Sequence, residues 1–185
     1  MLEGLAIPKA CLVGHSWGGY LAMHVAVARP DVVLGLVSVG TLGAVGDGGM
    51  AAMGATLDER YAAQTGRSRG KETPFAEQIP FYFASPATAP PFPDLRIRNS
   101  RETFASIREH FALGTLANGL PQLDVPVAFV HGLLDPIPAS AAVDSAALIR
   151  GAVVDLLKDC GHFPWIEQPG SVHGAMTRLT TMARS

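Results

Sequence analysis

Apolar positions in this chain fall into short, nearly continuous runs separated by longer stretches of helical spacing. Ala10-Cys11-Leu12-Val13 and Val32-Val33-Leu34-Gly35-Leu36-Val37-Ser38-Val39 are such runs, and so are residues 125–131 and 153–158. Runs this short without a polar face suit strands covered on both sides. Between the first two lies 19–29, which reads as a helix stopped by Pro30. Further helices are expected at 138–149 and 165–183. Strands alternating with helices predict an α/β fold, with a parallel sheet of about four strands flanked by helices. The connection from the first strand to the second should cross over right-handedly.

Residues 41–120 break this pattern. They open on a Gly-rich loop at 40–49 and contain the Pro-rich segment from Ser85 to Pro93. Helical periodicity recurs at about 49–65, 72–83 and 100–117, and no strand run is convincing. An all-helical stretch between strands predicts a cap or lid at 41–120, over a partial α/β core built from 1–40 and 121–185. A packing subdomain without a gating role is the alternative.

The chemistry begins at Gly14-His15-Ser16-Trp17-Gly18, a G-x-S-x-G pattern set between a strand and a helix. That context is the one in which a sharp turn lifts a serine hydroxyl clear of the sheet. A hydroxyl is a poor nucleophile without a base, and a base needs a group to orient it. Both follow in chain order. Asp135 sits in the loop after the 125–131 strand, and His162 in the loop after the 153–158 strand. Loops at the C-terminal ends of parallel strands share one edge of the sheet, so the three converge. Other carboxylates are worse placed. Asp124 precedes its strand, Asp144 lies in a helix, Asp155 lies within a strand, and Asp159 is too near His162 in sequence. The helix starting at Trp17 points backbone N–H groups toward developing negative charge. His15, His131, Trp17 and Trp165 are expected to line the substrate pocket or to pack beneath it. His24, His110 and His173 read as helix-face residues, and the arginines at 96, 98, 101 and 108 as a solvated lid surface.

Composition narrows the function classes. Hydrophobic residues make up 48% and charged residues 16%, as in a compact folded chain. A net charge of -2 gives no reason to expect nucleic acid or an anionic membrane as partner. No apolar run approaches the length of a membrane span, and the first residues lack signal-peptide features. A cytoplasmic location is expected. Cys11 and Cys160 have no metal-ligand spacing and read as small, buried, reduced residues. Neither a metal nor an organic cofactor is called for.

These motifs resemble the α/β-hydrolase superfamily. The elbow Gly14–Gly19, the acid loop His131-Gly132-Leu133-Leu134-Asp135 and the histidine loop from Gly161 to Pro169 carry the likeness. It spans residues 10 to about 180 and is nearest to capped single-domain members such as proline iminopeptidases and small esterases. The resemblance implies Ser16 as nucleophile, Asp135 as acid, His162 as base and the Trp17 amide as one oxyanion donor. Members with a nucleophilic Asp at the elbow are disfavoured by Ser16. The expected activity is hydrolysis of a small ester or amide through an acyl-enzyme, with a slight tilt toward peptidase-like relatives.

Superfamily members carry about four strands and a helix before the elbow, and an early loop supplies a second oxyanion donor. This chain is expected to correspond to the C-terminal part of such a fold. One missing donor costs about a hundred- to a thousand-fold in rate, so a catalytically silent binding protein or a truncated fragment is the alternative. The elbow strand would form an apolar sheet edge open to self-association.

Overall fold

The structure is a computed structural model that describes residues 3–70, 72–92 and 101–182. Four strands form one parallel sheet in the order β1-β2-β3-β4: β1 (Ala10–His15), β2 (Val33–Val39), β3 (Val127–Gly132) and β4 (Val153–Leu157). Helix α1 (Trp17–Ala28) links the first two strands. Between β2 and β3 lie α2 (Met50–Thr65), α3 (Phe75–Gln78), α4 (Arg101–Ala112) and α5 (Thr115–Gly119), with 3-10 turns after α3 at Ile79–Tyr82 and Pro86–Thr88 and after α5 at Leu120–Gln122. No strand interrupts them among the described residues. The order closes with α6 (Ser140–Ala147), α7 (Pro164–Glu167) and α8 (Ser171–Met182).

Both faces of the two central strands are covered, which is why they read as continuous apolar runs. One face carries the main core. There Leu36, Val127 and Phe129 pack with Met23 and Ala26 of α1, Leu116 of α5 and Ala142 of α6. On the other face, Val37, Val39, Ala128 and Val130 pack against Ala175 and Leu179 of α8. Strand β1 lies at the sheet edge. Its register partner for Val13 is Val37, which packs against α8, whereas Cys11 and Val13 are exposed. The expectation of two buried cysteines is therefore corrected for Cys11. Cys160 is fully buried.

Three helices are shorter than their periodicity suggests. The 72–83 run yields only the single-turn α3, followed by a 3-10 turn at Ile79–Tyr82 where Pro80 removes a helical donor. The 100–117 run breaks where Gly114 takes a left-handed conformation before α5, and 165–183 breaks at Pro169-Gly170, between α7 and α8. Arg96 and Arg98 lie outside the described residues. No described helix is long and apolar enough to cross a membrane.

The β1–α1 turn depends on one residue. A Cβ built on Gly14 would lie 2.2 Å from the Gly18 carbonyl oxygen, which is backbone and cannot step aside. Gly14→Ala is therefore expected to destabilise the protein by several kcal/mol, of the order of other severe core overpacking. Its thermal or denaturant midpoint should fall well below that of the parent. An unchanged midpoint would contradict the turn geometry.

Candidate active site

Ladder hydrogen bonds continue past the strand ends and tie the loops together. The Ser16 N–H donates to Val39 O at 2.8 Å, the Gly40 N–H to Val130 O at 2.9 Å, and the Leu133 N–H to Leu157 O at 2.9 Å. Each loop thus begins from a fixed point on the same edge of the sheet. Ser16 sits at the apex of the first with φ 53° and ψ −119°, a backbone state that side chains rarely adopt. The turn is held from behind, because Thr41 Oγ1 donates to Ser16 O at 3.1 Å. Helix α1 starts at the next residue, so its unbonded first N–H groups gather beside the serine.

Asp135 and His162 meet directly. His162 Nδ1 lies 2.7 Å from Asp135 Oδ2, and both side chains are almost completely buried. The second carboxylate oxygen accepts the Ile137 N–H at 2.8 Å. With its Nδ1 proton directed at a carboxylate, the His162 ring keeps Nε2 as the basic nitrogen. Gly40 closes this corner. It has φ +49°, and a Cβ there would lie 3.0 Å from Asp135 Oδ2 and 3.1 Å from His162 Nδ1. Among the described residues no hydrogen bond joins Ser16 Oγ to His162. Such contacts often tighten only when substrate is bound.

The histidine loop is fixed through its backbone. Tyr82 O accepts the His162 N–H at 2.8 Å. Glu167 accepts the N–H groups of Gly161 at 3.0 Å, Phe163 at 3.2 Å and Ala84 at 2.8 Å. Tyr82 and Glu167 were not legible as site residues, because Tyr82 acts through its backbone carbonyl and the Glu167 carboxylate binds only main-chain N–H groups, which carry no motif.

His15 and Trp165 come together beside His162. The His15 ring centroid is 4.5 Å from that of His162 and 4.5 Å from that of Trp165, which is 42% exposed. His15 Nε2 donates to His162 O at 2.9 Å. Burial, reinforced by the neighbouring His162, pushes the His15 imidazole from the usual 6.5 down to about 4. The unfolded chain takes up a proton on this group below pH 6.5, while the folded chain refuses it until about pH 4. This contribution to stability is complete above the upper value and is lost as pH falls toward the lower one. Midpoints measured across that window should therefore decline, and His15→Gln should flatten the decline. An equally steep decline in the variant would contradict the assignment.

His131 does not line a pocket. It is fully buried in β3, all six residues of which are buried, and its Nε2 donates to Ile137 O at 2.9 Å. That places it behind Asp135, as a support for the acid loop. Its Nδ1 is buried without a partner. Cys160 is no rival nucleophile, since burial, with Glu167 and Asp135 nearby, pushes its thiol up to about 12. Trp17 stacks on Tyr20 and lines a cavity of about 440 Å³ with His24 and Ile107, between α1 and α4. Ser16, Asp135 and His162 are not among the residues lining it. Among the described residues no group of acidic, His or Cys side chains is arranged to hold a metal ion.

The model of the alpha/beta hydrolase family matches residues 1–175. The chain belongs to this family. Solved structures of hydrolases agree with the fold. A mutant meta-cleavage product hydrolase from Pseudomonas fluorescens IP01, complexed with acetates, superposes with a TM-score of 0.71 at 22% identity. The match covers 98% of this chain and 68% of that one. A thermophilic esterase from Thermogutta terrifontis gives 0.63 at 24% identity, covering 100% and 69%. The 2-hydroxy-6-oxo-6-phenylhexa-2,4-dienoate hydrolase from Rhodococcus sp. strain RHA1 gives 0.66 at 17%, covering 97% and 66%. No curated protein sequence matches this chain. Membership of this family supports a hydrolase, and the fold is the frame shared with the solved structures.

Proposed function

We propose that this alpha/beta hydrolase is a serine hydrolase that cleaves a small ester or amide through an acyl-enzyme. The observation that carries the reading is the 2.7 Å contact of His162 Nδ1 with Asp135 Oδ2, on the sheet edge that also presents Ser16 at a strained turn. In this mechanism Ser16 Oγ attacks the substrate carbonyl carbon, and His162 Nε2 takes the hydroxyl proton. Asp135 stabilises the imidazolium so formed. The Trp17 N–H donates to the developing oxyanion. Collapse expels the alcohol or amine with the proton from His162. Water then attacks the acyl carbon, with His162 again as base, and frees Ser16. Residues 41–120 are proposed as the cap over this site.

A nitrophenyl ester tests the proposal. Rapid mixing should give a burst of nitrophenolate equal to the amount of protein, followed by slower turnover. A well-folded protein that shows neither burst nor turnover with short-chain esters and amides would overturn it and favour a silent binding protein.

A further inference from the structure

Arg60 bonds to two segments that flank the acid–base pair, and the mechanism above gives it no role. It lies in the second half of α2. Its Nη1 donates to Phe81 O at 2.9 Å and lies 3.5 Å from Phe83 O, while Nη2 donates to Leu134 O at 2.8 Å. The position of these carbonyls is what matters. Phe81 and Phe83 bracket Tyr82, whose carbonyl accepts the His162 N–H. Leu134 immediately precedes Asp135, whose carboxylate meets His162. One planar fork therefore spans the segment that supports the base and the loop that carries the acid. The far end of the same segment is fixed separately, by the Ala84 N–H on Glu167.

We propose that Arg60 is a positioning residue. By clamping residues 81–83 to Leu134, it sets the spacing between the acid loop and the histidine loop and so aligns Asp135 with His162. The proposal rests on the Ser16–His162–Asp135 reading and adds a residue that touches neither substrate nor reacting atoms. The chemistry of the residue suits the task. A guanidinium carries several donors in a rigid plane and stays charged at any working pH. A lysine ammonium is a compact charge on a flexible stem and cannot hold the same set of carbonyls at fixed separation. Without the clamp, the 81–83 segment that supports the His162 backbone loses its tie to Leu134, and the alignment of the two loops rests only on the Leu134 N–H bond to Cys160 O at 2.8 Å and the Leu133 N–H bond to Leu157 O at 2.9 Å. A displacement near 1 Å costs about 10²-fold in rate, and the loss should fall on kcat, because the clamp lies outside the substrate surface.

The test uses the whole chain with Arg60→Ala, Arg60→Lys and a control, Arg150→Met, whose ion pair with Asp124 is 87% and 89% exposed. Four quantities are read: kcat, KM, the thermal midpoint, and the low-field proton resonance of His162 Nδ1–H. Arg60→Ala should lose about 10²-fold in kcat with KM little changed. Its resonance should shift or broaden. Millimolar guanidinium should restore part of the rate, and Arg60→Lys should be intermediate. The control should match the parent. A folded Arg60→Ala protein with parental kcat and resonance would overturn the proposal. So would a rate loss that follows the unfolded fraction and resists guanidinium. If Arg60→Ala does not fold, Arg60→Lys decides by the same readings. Should the parent form no acyl-enzyme, the serine hydrolase reading fails, and the resonance alone still decides for or against Arg60.

Discussion

Ser16→Ala is expected to lower kcat on a nitrophenyl ester by about 10⁶-fold, as removal of a nucleophile from a serine triad does. The argument is chemical before it is structural. Only the hydroxyl supplies the electron pair for the acyl bond, and no nearby group replaces it, since the Cys160 thiol is pushed up to about 12 and stays protonated. The variant should fold normally. The Ser16 N–H bond to Val39 O and the Thr41 bond to Ser16 O involve only main-chain atoms of residue 16, so both survive. Substrate binding should persist for the same reason. Steady-state kinetics with a thermal midpoint beside them check this outcome. Parental turnover in a folded variant would place the nucleophile elsewhere.

Asp135→Asn should cost about 10⁴-fold in kcat, the loss seen when a triad histidine is given the wrong tautomer. Asp135 accepts on both oxygens, from His162 Nδ1–H at 2.7 Å and from the Ile137 N–H at 2.8 Å. An amide has one oxygen to offer. If its NH₂ faces His162, it donates to Nδ1 and forces the proton onto Nε2, which removes the base. If the NH₂ faces Ile137, two donors oppose each other in a buried site. Either arrangement lowers the rate, and the first does so with the fold intact. Kinetics across pH, set against the thermal midpoint, distinguish the two. A variant within tenfold of the parent would remove Asp135 from its proposed role.

The four strands were legible because the central ones are covered on both faces and so had to be apolar throughout. The same fact explains why His131 packs beneath the site and does not line it. A position inside a strand with no solvent face cannot look onto substrate, and Val127–Gly132 is buried at every residue. Cys11 was misread as buried. It shares the apolar character of its neighbours but stands exposed on the edge strand, and an edge is a property of the sheet that a local run does not encode. The meeting of Asp135 and His162 was readable because parallel strands place all C-terminal loops on one edge. The supports of that site were not. Tyr82, Glu167 and Arg60 hold the loops through backbone carbonyls and N–H groups, and main-chain partners are chosen by packing rather than by motif. The breaks at Gly114 and at Pro169-Gly170 lay in plain sight as glycine and proline signals, but helical spacing on either side masked them.

Labelling with a fluorophosphonate, followed by peptide mass spectrometry, tests the central claim most directly. The probe forms a covalent bond only with a serine activated by a neighbouring base. The account predicts one adduct per chain, on the peptide carrying Ser16, absent from Ser16→Ala and strongly reduced in His162→Ala. A folded protein that takes no label, or takes it at another residue, would contradict it.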